Sequence, residues 1–350
     1  MTMEDKTLTP GGPPREGPTA APAGTDHPGK RVLVTGGAGF IGSSLVERLL
    51  AEGHAVDVVD NLSTGSLVNL TEIGADRSPK FSFHAIDVRS PEVVEVIADR
   101  RPEVIFHLAA QADVRVSVVD PAFDAAVNVI GSLHVCQGAL RAGTRKVVFA
   151  GSGGTLYGVP DVLPTPEDHS RQPISPYGVA KKAVGDYLHY YREVHGLDYT
   201  VLALANVYGP RQDPHGEAGV VAIFSRQLLG GQTPTIYGDG EQTRDFVYVD
   251  DVVDAFVRAR TAGPGLLANV GTGVETSVNR LFSVMADVAG FRHAPAHAPA
   301  RPGEVRRSAL DPGRLAQCLG WQPATSLEEG LRRTLAWFEA RSSSTGVVTP

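Results

Sequence analysis

A doubly wound α/β fold, with a parallel sheet covered on both faces and a smaller interleaved C-terminal α/β portion, is what this 350-residue sequence predicts. Three observations carry the prediction. Apolar strand-like runs alternate with segments of helical periodicity through the first two thirds of the chain. A glycine-rich turn, V-T-G-G-A-G-F-I-G-S, joins the first run to S-L-V-E-R-L-L-A-E-G, which has helical spacing. Beyond Asn206 the rhythm loosens into the long loop G-P-R-Q-D-P-H-G-E-A-G and then shorter elements mixed with turns.

The strand-like runs fall at residues 32–35, 55–60, 81–87, 104–108, 146–150 and 200–204. Long helices are expected over residues 121–141 and 176–195, the second opening on Pro176, a residue suited to a first helical turn. The stretch F-V-Y-V-D-D-V-V-D-A-F, residues 246–256, is expected to return to the large sheet. No internal repeat is visible. The division that follows is a tail over 1–28, a first domain over 29–205 with 245–270 returning to it, a second over 206–244 and 271–340, and a tail over 341–350.

A hydrophobic content of 42% with 20% charge is that of an ordinary globular chain and excludes disorder throughout. The net charge of -7 gives no footprint for nucleic acid, so any anion must be met by local groups. No apolar run approaches the roughly 18 residues that span a bilayer, so no membrane partner is expected. The first 28 residues are rich in Pro and Gly and lack the apolar region of a secretory signal. Cys136 and Cys318 lie in helix-like segments without metal-ligand or CxxC spacing, so both are expected as core thiols in a reducing, cytoplasmic setting. His189 and His195 have no second ligand group at compatible spacing, and no metal is expected.

Gly37, Gly39 and Gly42 form G-x-G-x-x-G directly after a strand and at the opening of a helix. In that context the turn brings backbone close to a pyrophosphate, which rests on the unpaired N–H groups of the helix N-terminus. Phe40 and Ile41 lie inside this loop. Asp60 closes the second strand, where a carboxylate accepts ribose hydroxyls and repels a 2′-phosphate; Asn61 follows it. The expected cofactor is therefore NAD rather than NADP.

The stretch T-G-G-A-G-F-I-G, with Gly36, Gly39 and Gly42 as G-x-x-G-x-x-G, resembles the extended short-chain dehydrogenase/reductase family and its NAD-dependent epimerase/dehydratase group. The resemblance implies a Rossmann-type sheet. Asp87 and Val88 look like the pair that contacts adenine in that family, and His107-Leu108-Ala109-Ala110 like its loop beneath the cofactor.

S-P-Y-G-V-A-K-K places Tyr177 and Lys181 four residues apart, on one helical face. A phenol beside a solvated ammonium is the structural alternative. With a nicotinamide site upstream, the phenol becomes a base once nearby positive charge lowers its ordinary value of about 10. The pair matches the Tyr-x-x-x-Lys motif of the family. Its hydroxyl partner should follow the strand at 146–150, in G-S-G-G-T-L-Y-G; Gly153 stands where many members carry that hydroxyl, leaving Ser152, with Thr155 in reserve.

The same loop lacks the Asp-Glu pair of the family's sugar-nucleotide dehydratases and the Glu of its decarboxylases, since Gly154 and Thr155 occupy those places. What the resemblance implies is then 4-epimerisation of a UDP-sugar: oxidation at C4, rotation of the ketone, and return of hydride to the other face. The second half resembles UDP-sugar 4-epimerases at A-N-V-Y-G-P-R-Q with Asn206, at T-R-D-F-V-Y-V-D-D-V-V with Arg244, and at R-P-G-E with Arg301 and Glu304. Arg forks onto phosphate oxygens, which suits a diphosphate. Ser308 falls where a large residue limits the sugar pocket in some members, so N-acetylated UDP-hexoses are also expected substrates. UDP-glucuronate epimerisation, another nucleotide-sugar dehydrogenase or reductase activity, and a non-catalytic NAD-sensing role are the rival readings. The two long helices are expected to form a homodimer interface.

Overall fold

Val-rich runs bounded by turns form the strands. In the computed structural model, which describes residues 29–214, 219–300 and 305–344, six of them are β1 (Arg31–Thr35), β2 (Ala55–Asp60), β3 (Phe81–Ala85), β4 (Val104–His107), β5 (Lys146–Ser152) and β6 (Asp198–Leu204). They join Leu266–Val270 in a seven-stranded sheet. Its order is Leu266–Val270, β6, β5, β4, β1, β2, β3, with every pairing parallel. The winding direction reverses between β1 and β4, and at such a switch point the strand ends leave a crevice for a ligand.

Alternate residues of the strands serve opposite faces. Val32, Val34, Val58 and Phe106 pack under the Phe40–Ala51 and Val249–Ala259 helices through Leu45, Leu49, Val252 and Phe256. Leu33, Ile105, Val147 and Phe149 pack under the Glu92–Arg100, Gly131–Ala142 and Pro176–His195 helices through Ile97, Val135, Val184 and Leu188. A third cluster gathers Tyr208, Phe224, Tyr248, Phe282, Met285 and Leu331 from the segments after residue 205.

Several details depart from expectation. Phe246–Tyr248 does not return to the large sheet; it pairs in parallel with Asn206–Tyr208, and its Tyr248 ring packs on Tyr208 at 5.7 Å. The strand that does return is Leu266–Val270, beside β6. Cys136 is buried, as expected, and its thiol is pushed up to about 12 by burial. Cys318 is exposed: the Gly313–Leu319 helix buries only Leu315 and Leu319, one turn apart, and the cysteine falls off that face. The last helix, Leu327–Ser344, runs past residue 340, carried by Arg341, which pairs with Glu72 and lies over the Trp337 ring. The 121–141 region is helical, but a π turn at Ala126–Ile130 separates Pro121–Ala125 from Gly131–Ala142.

Candidate active site

Gly36 needs its lack of a side chain twice over. Its φ is +72°, and a Cβ there would lie 2.7 Å from the Ala109 backbone nitrogen. A Cβ on Gly42 would collide with the Gly36 carbonyl oxygen. The first turn of the Phe40–Ala51 helix is therefore pressed against the loop, with Gly39 as an N-cap that offers no side chain and no acidic residue in the first turn. Helix N–H groups so arranged favour a phosphate. Across the crevice, Leu108 N–H donates to the Thr35 carbonyl (3.1 Å) and Ala109 N–H to the Thr35 hydroxyl (3.2 Å), so residues 108–110 are clipped to the glycine loop.

Asp60 caps the same loop. Its carboxylate accepts from Ala38 N–H (3.0 Å) and Leu62 N–H (2.8 Å), and burial raises its pKa against those bonds. Asn61 donates to Asp87 at 2.8 Å, and Arg89 holds that carboxyl down to about 2. Val88 is buried at the edge of the Gly131–Ala142 helix, while Phe40 and Ile41 pack toward the third cluster. The glycine loop and Asp60 form a cradle that fits a dinucleotide: backbone donors for the pyrophosphate and an acid for the ribose.

His107 closes the floor. The Thr35 hydroxyl, which accepts from Ala109 N–H, lies 2.7 Å from His107 Nδ1. Ser132 donates to the Asn128 carbonyl and accepts from His107 Nε2 (2.8 Å). Ser132 has no hydrogen left to give, so Nε2 carries a proton; burial and then the Lys181 charge push the pKa down to about 3, which leaves the ring neutral and Nδ1 to accept from Thr35.

Ser175 caps the Pro176–His195 helix by accepting from Gly178 N–H at 3.2 Å. A Cβ on Gly178 would stand 2.8 Å from the Thr155 carbonyl, so this glycine lets the helix close on the loop after β5. There the Ser152 side chain acts on the Tyr177 hydroxyl in the direction that lowers its pKa, while Thr155 turns its own hydroxyl to the Ser152 carbonyl at 3.5 Å. Of the two expected hydroxyls, that of Ser152 is the one that acts on the phenol. Burial pushes Tyr177 up to about 12, with the Ser152 bond acting the other way. Lys181 donates to the Ala150 carbonyl at 2.9 Å and lies 4.6 Å from the Phe149 ring centroid and 5.6 Å from that of Tyr177. Burial lowers its pKa to about 8. A side chain at Gly153 would collide with Leu310, which explains the missing hydroxyl at that position.

Three of the expected substrate residues, Asn206, Arg244 and Ser308, fall among the described residues. Asn206 is exposed, with its N–H on the Asp245 carbonyl. Arg244 donates to the Thr243 and Val305 carbonyls at 2.7 and 2.8 Å, so its guanidinium organises the segment that leads to Ser308. Ser308 is half-buried on that segment. Arg301 and Glu304 lie outside the described residues. Among the described residues no cluster of His, Cys, Asp or Glu could hold a metal.

Sequence reasoning missed four contributors. Asp245 gathers the backbone N–H groups of Thr272, Gly273 and Leu310, so it holds Leu310 over Gly153. Leu310 itself looked like an ordinary apolar residue. Asp124 and Asn128, one helical turn apart, were the readable signal, since a carboxylate and an amide share one face of a helix expected to pack.

The model of the NAD dependent epimerase/dehydratase family matches residues 32–271. A UDP-glucose 4-epimerase of Mycolicibacterium smegmatis is 53% identical over 313 residues, covering 89% of this chain and 99% of its own. The crystal structure of a Thermotoga maritima UDP-glucose 4-epimerase with UDP-glucose superposes with a TM-score of 0.86 at 46% identity, over 89% of this chain and 99% of that one. A Methanobrevibacter ruminantium UDP-N-acetylglucosamine 4-epimerase in complex with UDP-N-acetylmuramic acid gives 0.85 at 33% identity, over 90% and 100%.

Proposed function

From the premise that the chain belongs to the NAD-dependent epimerase/dehydratase family, we propose that it is an NAD-dependent 4-epimerase of UDP-glucose and UDP-galactose. The observation that carries the reading is a Ser152–Tyr177–Lys181 constellation beside the dinucleotide cradle, in a loop with no carboxylate between Gly151 and Gly158. A dehydratase needs a further acid and base in that place; an epimerase does not. Bound NAD supplies the acceptor and donor of hydride. Tyr177 takes the proton of the sugar C4 hydroxyl, Ser152 holds the reacting oxygen, and Lys181 supplies positive charge that favours the phenolate. After the ketone has turned, Tyr177 returns the proton. Residues 29–205 carry the cofactor, and residues 206–244 and 271–340 hold the nucleotide sugar through Asn206, Arg244, Arg301 and Glu304.

The purified protein incubated with UDP-galactose and no added cofactor should form UDP-glucose, followed by anion-exchange chromatography, and reach one ratio from both directions. Consumption of added NAD in proportion to product would instead mark a dehydrogenase.

Two finer readings belong here. Ser308 leaves room for an N-acetyl group at C2. Its segment is pinned by Thr243 N–H on the Arg306 carbonyl and Thr165 N–H on the Ala309 carbonyl, so a larger side chain cannot swing clear with its backbone. Ser308→Tyr should lower kcat/KM for UDP-N-acetylglucosamine by about 10-fold or more while leaving UDP-galactose within about threefold. Equal losses on both sugars would sink the idea. The protein also works as a homodimer, supported by Phe123, Ile130, Val179, Tyr187, Tyr190 and Val194, apolar residues exposed along the two long helices. A cytoplasmic setting suits the free thiols.

A further inference from the structure

Asp124 is the buried titratable group that the Tyr177 chemistry leaves unused. It is 1% exposed, on the Pro121–Ala125 helix just before the π turn. Its Oδ1 accepts from Gln111 Nε2 at 3.0 Å and from Asn128 Nδ2 at 2.9 Å; among the described residues its Oδ2 has no hydrogen-bond partner. Gln111 is itself anchored, with its N–H on Asn128 Oδ1, its amide also donating to the Asp113 carbonyl, and its Oε1 accepting from Asp113 N–H. A carboxylate aligned this firmly with one oxygen open is costly to bury unless a cation answers it. The Pro176–His195 helix, which carries Lys181, packs against this segment, and the two charges act on each other through space without a direct ion pair among the described residues.

We propose that Asp124 is a positioning residue for the Tyr177–Lys181 pair: its buried carboxylate, held by Gln111 and Asn128, is the fixed countercharge that keeps the Lys181 ammonium charged at working pH. The inference rests on the proposed Tyr-Lys chemistry only for its effect on turnover; the charge pairing stands apart from it.

The surroundings give the sign. Lys181 meets the Phe149 ring, the Ala150 carbonyl and a neutral His107, and Asp124 is the group that raises its pKa against burial. The Asp124 charge raises the pKa of Tyr177 as well, with Ser152 acting the other way. Asp113 and Arg115, at the neighbouring short helix, are paired with each other, and Arg89 over the Phe123 ring is paired with Asp87. Removing the carboxylate therefore lets both Lys181 and Tyr177 titrate at lower pH. Both limbs of a bell-shaped profile then move toward acid.

Asp124→Asn keeps the volume and an oxygen to accept from Gln111 and Asn128, so it removes charge alone. The kcat profile for UDP-galactose should shift bodily to lower pH by about one unit, with KM within about twofold. Independently of turnover, 13Cε-labelled lysine NMR on the holoenzyme, in a chain of six lysines, should show Lys181 titrating about one pH unit lower in the variant. A profile lowered uniformly without a shift, together with an unmoved Lys181 titration, would assign Asp124 a purely structural role and overturn the proposal. Should the wild type fail to epimerise any UDP-sugar, the proposed function falls while the NMR titration still decides the pairing. If Asp124→Asn does not fold, Asp124→Ser, smaller and also neutral, is read by the same titration.

Discussion

Tyr177→Phe should lower kcat on UDP-galactose by about 10³-fold, the scale of a lost general acid–base group. The substitution removes one oxygen from a ring that is 9% exposed and leaves its packing in place. What disappears is a single buried hydroxyl while the ring packing stays, so stability should fall by only about 1 kcal/mol. Lys181 keeps its bond to the Ala150 carbonyl, and the glycine cradle is untouched, so NAD released by acid from the purified variant should match the wild type. Loss of turnover with NAD retained separates proton transfer from cofactor binding. Activity within tenfold of wild type would mean that another group, Ser152 first among them, moves the proton.

Gly42→Ala tests the cradle. At an ordinary helix position alanine improves on glycine by about 1 kcal/mol. Here the added carbon meets the Gly36 carbonyl oxygen, a backbone atom that cannot rotate aside, and overpacking of this kind costs about 1–3 kcal/mol or more. The collision outweighs the propensity, so thermal unfolding should show a lower Tm. Because relief requires the helix N-terminus to lift from the loop that receives the pyrophosphate, the variant should also purify with little NAD. A raised Tm with full NAD content would show that the helix does not press on the loop.

Much of this site was legible because its parts are local. Gly36, Gly39 and Gly42 share one turn, Asp60 ends the next strand, and Tyr177 and Lys181 are one helical turn apart; strand and helix periods put each on a known face. The parts that were not legible depend on partners distant in sequence. Nothing near Asp124 says that Gln111 will reach it, and nothing near Gly153 says that Leu310 will fill the space beside it. Phe246–Tyr248 reads as a strand, yet its three residues carry no register, and Tyr208 with Tyr248 settles its partner in the third cluster. Cys318 reads as a core thiol until the short helix around it turns out to bury only two side chains.

The contact between Leu310 and Gly153 constrains which neighbouring sequences can be reached by single substitutions. Moving the hydroxyl from residue 152 to 153 introduces a side chain against the Leu310 methyls, which must turn aside within a buried cluster, at a cost of up to about 1–3 kcal/mol. Trimming Leu310 first, to alanine, opens a cavity in the small cluster with Leu156, Tyr157 and Ala203 and forfeits about 2–5 kcal/mol. Either first step draws on the roughly 5–15 kcal/mol that holds a typical fold together, the truncation of Leu310 more heavily. The two arrangements of the loop are separated by a valley that single steps cross only at a loss, so lineages that carry Leu310 are expected to keep the hydroxyl at residue 152.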